Sequence, residues 1–262
     1  MSPPATDAWD PEQYDRFRSE RRQPFFDLLA LVHPVPGGRV VDLGCGTGEL
    51  TRELHRRAGA AVTVGIDSSA AMLSQAAAFA GDGLRFERGD LAEYSASDLD
   101  VVFANASLHW VPDHPALLRR LAAMLGPSGQ LAFQVPANYD HPSHRLAGVI
   151  AHEEPFFSAL GGDPPEDHTR SVLPPETYAG LLDSVGFTSQ HVRLQVYGHH
   201  LDGTDDVVEW VKGTLLTPYR RDLDAELYER FVRTLRDRLR AEVGERRPYF
   251  YAFKRILCWA GR

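Results

Sequence analysis

Val40-Val41-Asp42-Leu43-Gly44-Cys45-Gly46-Thr47-Gly48-Glu49 is the stretch whose reading decides the fold. An apolar run ends in an acid, three glycines follow within five positions, and Glu49 opens a helical pattern, so the segment reads as strand, tight loop and helix. Glycine is needed where a loop must turn sharply and bring its backbone against a ligand, because a Cβ atom has no room there. A dinucleotide fingerprint is spaced G-x-G-x-x-G. Here the spacing is G-x-G-x-G with Asp42 two residues ahead, which points to a different cofactor.

Downstream, Ala61 to Asp67 reads A-V-T-V-G-I-D, a buried-strand pattern ending in an acid at about the distance expected for the tip of the next parallel strand. A carboxylate there can accept hydrogen bonds from two ribose hydroxyls; capping a helix over Ser69 to Phe79 is the alternative role for Asp67. A third strand, Leu84 to Arg88, runs into Gly89-Asp90-Leu91. These three elements in this order resemble those of the class I S-adenosylmethionine-dependent methyltransferases. The resemblance implies that S-adenosyl-L-methionine is the cofactor and S-adenosyl-L-homocysteine the product. It also implies the residues that hold it: Asp42, Gly44, Cys45 and Gly46 in the loop, Asp67 and Ser68 after the second strand, Asp90 and Leu91 near the adenine, and Asn105 at the end of the fourth strand.

The 262 residues are 43% hydrophobic and 24% charged, enough for one α/β domain with an embedded accessory region. A net charge of -8 argues against bulk attraction to nucleic acid or to an anionic membrane. Arginine supplies nearly all the positive charge, Lys212 and Lys254 being the only lysines. Its planar guanidinium meets a carboxylate through two parallel hydrogen bonds. With Cys45 and Cys258 alone, neither a disulfide framework nor a cysteine metal site is expected, and the histidines lack ligand-like spacing, so no metal is expected. The N-terminus has neither a basic nor an apolar leader pattern and no apolar run reaches membrane-spanning length; the expectation is a cytoplasmic protein, monomer or dimer, acting on a small molecule.

Strand-like runs at Arg39 to Leu43, Ala61 to Ile66, Leu84 to Arg88, Asp100 to Ala104 and Gln130 to Val135 alternate with helical stretches at Glu49 to Ala58, Ser69 to Phe79 and Pro115 to Leu125. Such alternation predicts parallel strands with helical crossovers. A first helix is expected over Tyr14 to Val32. Residues 138 to 173 read as an irregular insertion, punctuated by Pro155, Gly161-Gly162 and Pro164-Pro165. Beyond it are expected a helix over Pro174 to Val185, a strand over Gln190 to Tyr197, helices near Asp205 to Leu216 and Asp222 to Val243, and a strand over Tyr249 to Trp259. The fold class is therefore α/β: a doubly wound, Rossmann-like, seven-stranded and mostly parallel sheet with its last strand antiparallel. One domain spans 1–262, with an N-terminal arm and lid at 1–32 and a helical cap from 138–173 and 201–247.

Strand four continues as F-A-N-A-S-L-H-W-V-P-D-H from Phe103 to His114, and here the resemblance narrows to the trans-aconitate 2-methyltransferases. W-D-P-x-x-Y-x-x-F from Trp9 to Phe17, P-x-N-aromatic at Pro136 to Tyr139, P-S-H at Pro142 to His144, E-W-V at Glu209 to Val211 and A-F-K-R at Ala252 to Arg255 extend it along the chain. The resemblance implies carboxyl O-methylation of a small polycarboxylate such as trans-aconitate. A carboxyl group with a pKa of about 4 is ionised at neutral pH and needs no general base. Positioning residues take its place: His109, Trp110 and Arg21 at the transfer site, and Tyr14, Phe17, Arg21, Asn138, His144 and Arg255 around the substrate. A solvated helix face for Arg21, core packing for Trp110 and a structural role for His109 are the competing readings. So are an O-, N- or C-methyltransferase of a specialised metabolite, with His109 or His144 as base, and a non-catalytic cofactor-binding protein.

Overall fold

The structure is a computed structural model describing residues 18–167 and 171–262, with side chains described from Arg22 onward. Seven strands form one sheet: β1 Arg39–Leu43, β2 Val62–Asp67, β3 Leu84–Arg88, β4 Leu99–Asn105, β5 Leu125–Pro136, β6 Ser189–Leu201 and β7 Tyr249–Gly261, in the spatial order 3-2-1-4-5-7-6. β1 pairs in parallel with β2 and β4, β2 with β3 and β4 with β5, while β7 runs antiparallel to β5. Parallel neighbours require crossovers. Here these are α2 Glu49–Ala58, α3 Ala70–Ala76 and α4 His114–Ala123; α1 Arg18–Leu29 precedes β1. The chain turns back between β1 and β4, and the carboxyl ends of strands at such a switch are where open α/β sheets bind ligands.

Two compact units emerge. The first contains residues 19–136, 171–195 and 254–262. Its strands are nearly continuous apolar runs, as strands covered on both faces must be: Val40, Val41, Leu43, Val101, Val102, Phe103, Leu131, Phe133 and Leu257 are all buried. The helix α7 Pro175–Ser184 buries Tyr178 and Leu182 in the same unit.

The second unit groups 137–167 with 196–253. It holds α5 Pro142–Ala151, α6 Phe156–Ala159, α8 Asp205–Lys212, α9 Thr217–Asp222 and α10 Ala225–Val243. Its apolar cluster joins Ile150, Phe156, Trp210, Phe231, Leu235 and Tyr251.

Three sequence expectations are corrected. The irregular insertion at 138–173 contains α5, because Pro142 sits at the first helical position, where its missing N–H costs nothing, and Leu146, Ala147 and Ile150 give the helix a buried side. The helix expected over Asp205 to Leu216 stops at Lys212, before Gly213, and a separate α9 follows with a proline in its first turn. β5 starts at Leu125 rather than Gln130: Gly126 to Gly129 fall between the pairs Leu99–Leu125 and Val101–Gln130, so the turn residues form an irregularity inside the strand. Among the described residues no helix is long and apolar enough to cross a membrane.

Candidate functional site

Strand register brings the polar residues of the first unit together. Asp42 pairs with Gly65 of β2 and Phe103 of β4, Asn105 with Gln134 of β5, and Pro136 of β5 with Arg255 of β7. Side chains alternate with a period of two. Asp42, Asp67, Asn105, Gln134 and Arg255 therefore share one sheet face at the carboxyl ends of the parallel strands.

The glycine loop is held from three directions. Gly46 N–H donates to Asp67 Oδ2 (2.8 Å), and the other Asp67 oxygen accepts from Ser69 N–H (2.9 Å). Ser107 Oγ donates to the Leu43 carbonyl (2.5 Å), tying the loop after β4 to the end of β1. Gly44, at φ 80, lies so near that a Cβ atom would stand 2.3 Å from Ser107 Cβ, so only glycine fits. The cap of α3 is Ser69, whose Oγ accepts from Met72 N–H (3.2 Å), which leaves Asp67 at the strand tip rather than in the helix.

Asp42 is buried beneath this loop. Its Oδ2 accepts from Thr51 Oγ1 of α2 (2.6 Å), and Oδ1 is buried with no hydrogen-bond partner among the described residues. Burial pushes the carboxyl up to about 7; the Thr51 hydroxyl counters the rise in part, and the charge of Asp67 adds to it. A buried oxygen without a donor is costly unless a ligand supplies one. Burial first, and then the charges of Asp42 and Asp67, push the Cys45 thiol far up, so it is neither thiolate nor nucleophile.

Asp90 and Leu91 lie at the end of β3. Asp90 Oδ1 accepts from Ala92 N–H (2.8 Å), and Arg120 of α4 donates to the carbonyls of Tyr94 (2.7 Å) and Leu91 (2.8 Å), so a helix grips the turn. Ser68 is exposed beside Asp67, and its carbonyl accepts from Arg88 Nε (3.2 Å). His109 and Trp110 occupy a short 3-10 turn, Leu108–Trp110, with ring centroids 5.1 Å apart; His109 is 6% exposed. Ser171 Oγ donates to the His109 carbonyl (3.2 Å).

Arg255 is 7% exposed and donates through Nη1 to Gln134 Oε1 (3.0 Å), while Gln134 Nε2 donates to Asn105 Oδ1 (2.8 Å). Asn138 and His144 belong to the second unit: Asn138 Nδ2 donates to Tyr251 Oη (3.2 Å), and His144 Nδ1 lies 2.9 Å from Asp167 Oδ2. Tyr14 and Phe17 lie outside the described residues, and for Arg21 only its place in α1 is described. Among the described residues no cluster of His, Cys, Asp and Glu could hold a metal ion.

Sequence reasoning missed Gln134, Ser107, Arg120 and the pair His114–Tyr178. His114 Nε2 lies 3.2 Å from the Leu108 carbonyl, which can only accept, so Nδ1 accepts from Tyr178 O–H (2.5 Å). Burial lowers the pKa of His114, and this neutral imidazole braces the 3-10 turn. A polar residue inside an otherwise apolar strand, as at Gln134, is the one signal that could have been followed.

Residues 14–192 match the methyltransferase domain family. The chain is 47% identical over 257 residues to a trans-aconitate 2-methyltransferase of Deinococcus radiodurans, covering 97% of this chain and 98% of that protein. A trans-aconitate 2-methyltransferase of Streptomyces avermitilis is 39% identical over 267 residues, covering 98% of each. Among solved structures, the YcgJ protein of Bacillus subtilis aligns with a TM-score of 0.58 at 15% identity, over 92% of this chain and 98% of that one. A methyltransferase of Thiobacillus denitrificans in complex with S-adenosyl-L-homocysteine aligns at 0.54 and 19%, over 100% of this chain and 96% of that one. These two likenesses show the fold.

Proposed function

The chain belongs to the S-adenosylmethionine-dependent methyltransferases, and from that premise we propose that it methylates a carboxylate of a small polycarboxylate, trans-aconitate before others, in the cytoplasm. The observation that carries this reading is a buried guanidinium, Arg255, on the same sheet face as Asp42 of β1 and Asp67 of β2; full-length similarity to trans-aconitate 2-methyltransferases supports it.

The residues fit the cofactor. The orphaned Asp42 Oδ1 is an acceptor for its ammonium group, the Asp67 carboxylate for its ribose hydroxyls, and Asp90 with Leu91 for its adenine, with Gly44, Cys45, Gly46, Ser68 and Asn105 alongside. When bound, the cofactor supplies a methyl group on a sulfonium, which leaves as the thioether on transfer to the acceptor oxygen.

A carboxylate acceptor arrives ionised at neutral pH, its pKa being about 4, so no residue must take a proton. Cys45 and His114, held in their neutral forms, suit such a site. The protein's part is to place and dehydrate the carboxylate, contributions on the order of several kcal/mol. Arg255 and Arg21 hold its charge, His109 and Trp110 line the transfer site, and Tyr14, Phe17, Asn138 and His144 complete the substrate set. The His144–Asp167 pair favours a second reading: a carboxylate-oriented imidazole is a general base for a hydroxyl or carbon acceptor that must lose a proton.

Incubation with methyl-labelled cofactor and a panel of carboxylic acids tests the choice. The expected product from trans-aconitate releases its label in alkali, as a methyl ester does. Label that resists alkali would overturn ester formation and move the assignment to the second reading.

A further inference from the structure

β5 is apolar from Leu131 to Val135 except at Gln134, whose side chain is fully buried. A primary amide in such a place must satisfy both of its ends. Its Nε2 donates to Asn105 Oδ1 on β4, and its Oε1 accepts from Arg255 Nη1 on β7. The amide direction is therefore set from both sides: oxygen toward the guanidinium, nitrogen toward Asn105. That choice turns the oxygen of Asn105 inward and its own NH2 away from Gln134. Gln134 is also neutral, so it orients the guanidinium without cancelling its charge.

We propose that Gln134 is a positioning residue that aims the Arg255 guanidinium at a carboxylate of the acceptor. The proposal rests on the reading of Arg255 as a carboxylate-holding group. A glutamate at 134 has the same size and reach but pairs with Arg255 in the low-dielectric interior and offers Asn105 Oδ1 no donor. A methionine keeps the volume and leaves both neighbours without this partner.

Full-length Q134E, Q134M, R255M and the double variant Q134E/R255M are to be titrated calorimetrically, first with S-adenosylhomocysteine and then, in its presence, with trans-aconitate; steady-state kinetics accompany the titrations. Q134E should bind S-adenosylhomocysteine within about threefold of wild type yet lose about tenfold or more in affinity for trans-aconitate, the scale for a buried charged hydrogen bond. KM for trans-aconitate should rise more than kcat falls. R255M should show a loss of similar size, and the double variant should lose no more than R255M, because both changes remove one interaction. Wild-type affinity in R255M would sink the underlying reading of Arg255. A loss in R255M without one in Q134E, or strictly additive losses, would sink the positioning role alone. Should a buried carboxylate keep Q134E from folding, as S-adenosylhomocysteine binding would reveal, Q134M carries the same test: it must lose trans-aconitate affinity, and unchanged affinity overturns the proposal.

Discussion

Asp42 meets two opposed demands: it is buried under a backbone loop, and among the described residues only one of its oxygens has a donor, Thr51. With its carboxyl pushed up to about 7, the folded chain carries a proton there over a range where the unfolded chain does not. The sign follows from linkage. Stability owed to this group is highest below the unfolded pKa of about 4, falls as pH rises toward 7, and is constant above; the shift corresponds to at most about 4 kcal/mol. A cationic ammonium binds the ionised form, so affinity for S-adenosylhomocysteine should weaken by up to about tenfold per unit as pH falls below about 7. In Asp42→Asn that slope should vanish. Calorimetric titration across neutral pH checks it, and a wild-type affinity independent of pH would reject the coupling. The opposing groups are Asp67 on β2, Cys45 in the loop and Thr51 on α2, and of these Asp67 is the charged one. Asp42, Gly44 and Asp67 were legible in the sequence because their spacing sits on consecutive strands. Gln134 was not, because its partner Arg255 is 121 positions away and reached through strand register alone.

At the scale of elements, β1 to β4 and the helices between them were legible through alternation of apolar runs. The insertion was not, because its prolines and glycines mark both breaks and helix starts, and local pattern does not separate the two. At the turn after β3 an element outside the loop holds Asp90 and Leu91, which are proposed to meet the cofactor. Arg120 of α4 donates to the Leu91 and Tyr94 carbonyls; burial lowers its pKa and the nearby Asp90 carboxylate opposes that. Removing it frees the turn that presents Asp90 and Leu91. Arg120→Ala should weaken cofactor binding by roughly 1–3 kcal/mol, the scale of hydrogen bonds to a charged group. That loss should appear in KM for S-adenosylmethionine, with kcat at saturating cofactor nearly unchanged, and Arg120→Lys should recover part of it. An equal fall in kcat would mean that the turn serves the chemistry rather than cofactor binding.

For the molecule as a whole, a net charge of -8 gives a polycarboxylate no bulk attraction, which leaves any attraction to local cations. The grouping of 137–167 with 196–253 is written in no local pattern, since each stretch is amphipathic and the apolar cluster exists only once they meet. Phe231 lies at its centre, fully buried, edge-on to Phe156 at 5.2 Å and stacked with Tyr219 at 4.7 Å. Phe231→Ala should cost about 3–5 kcal/mol through lost burial and the cavity left behind, a large share of the 5–15 kcal/mol typical of a folded protein. At roughly 2–4 °C per kcal/mol for a chain of this size, the melting temperature should drop by on the order of 10 °C. Asp42, Gly44, Gly46, Asp67, Asp90 and Asn105 all belong to the other unit. Affinity for S-adenosylhomocysteine, measured well below the transition, should therefore stay within about twofold of wild type, the additive outcome for residues that share no partners. Thermal melts followed by circular dichroism and calorimetric titration on the same preparation separate the outcomes: a parallel collapse of cofactor affinity would show that the sheet unit's site depends on the packing of this second cluster.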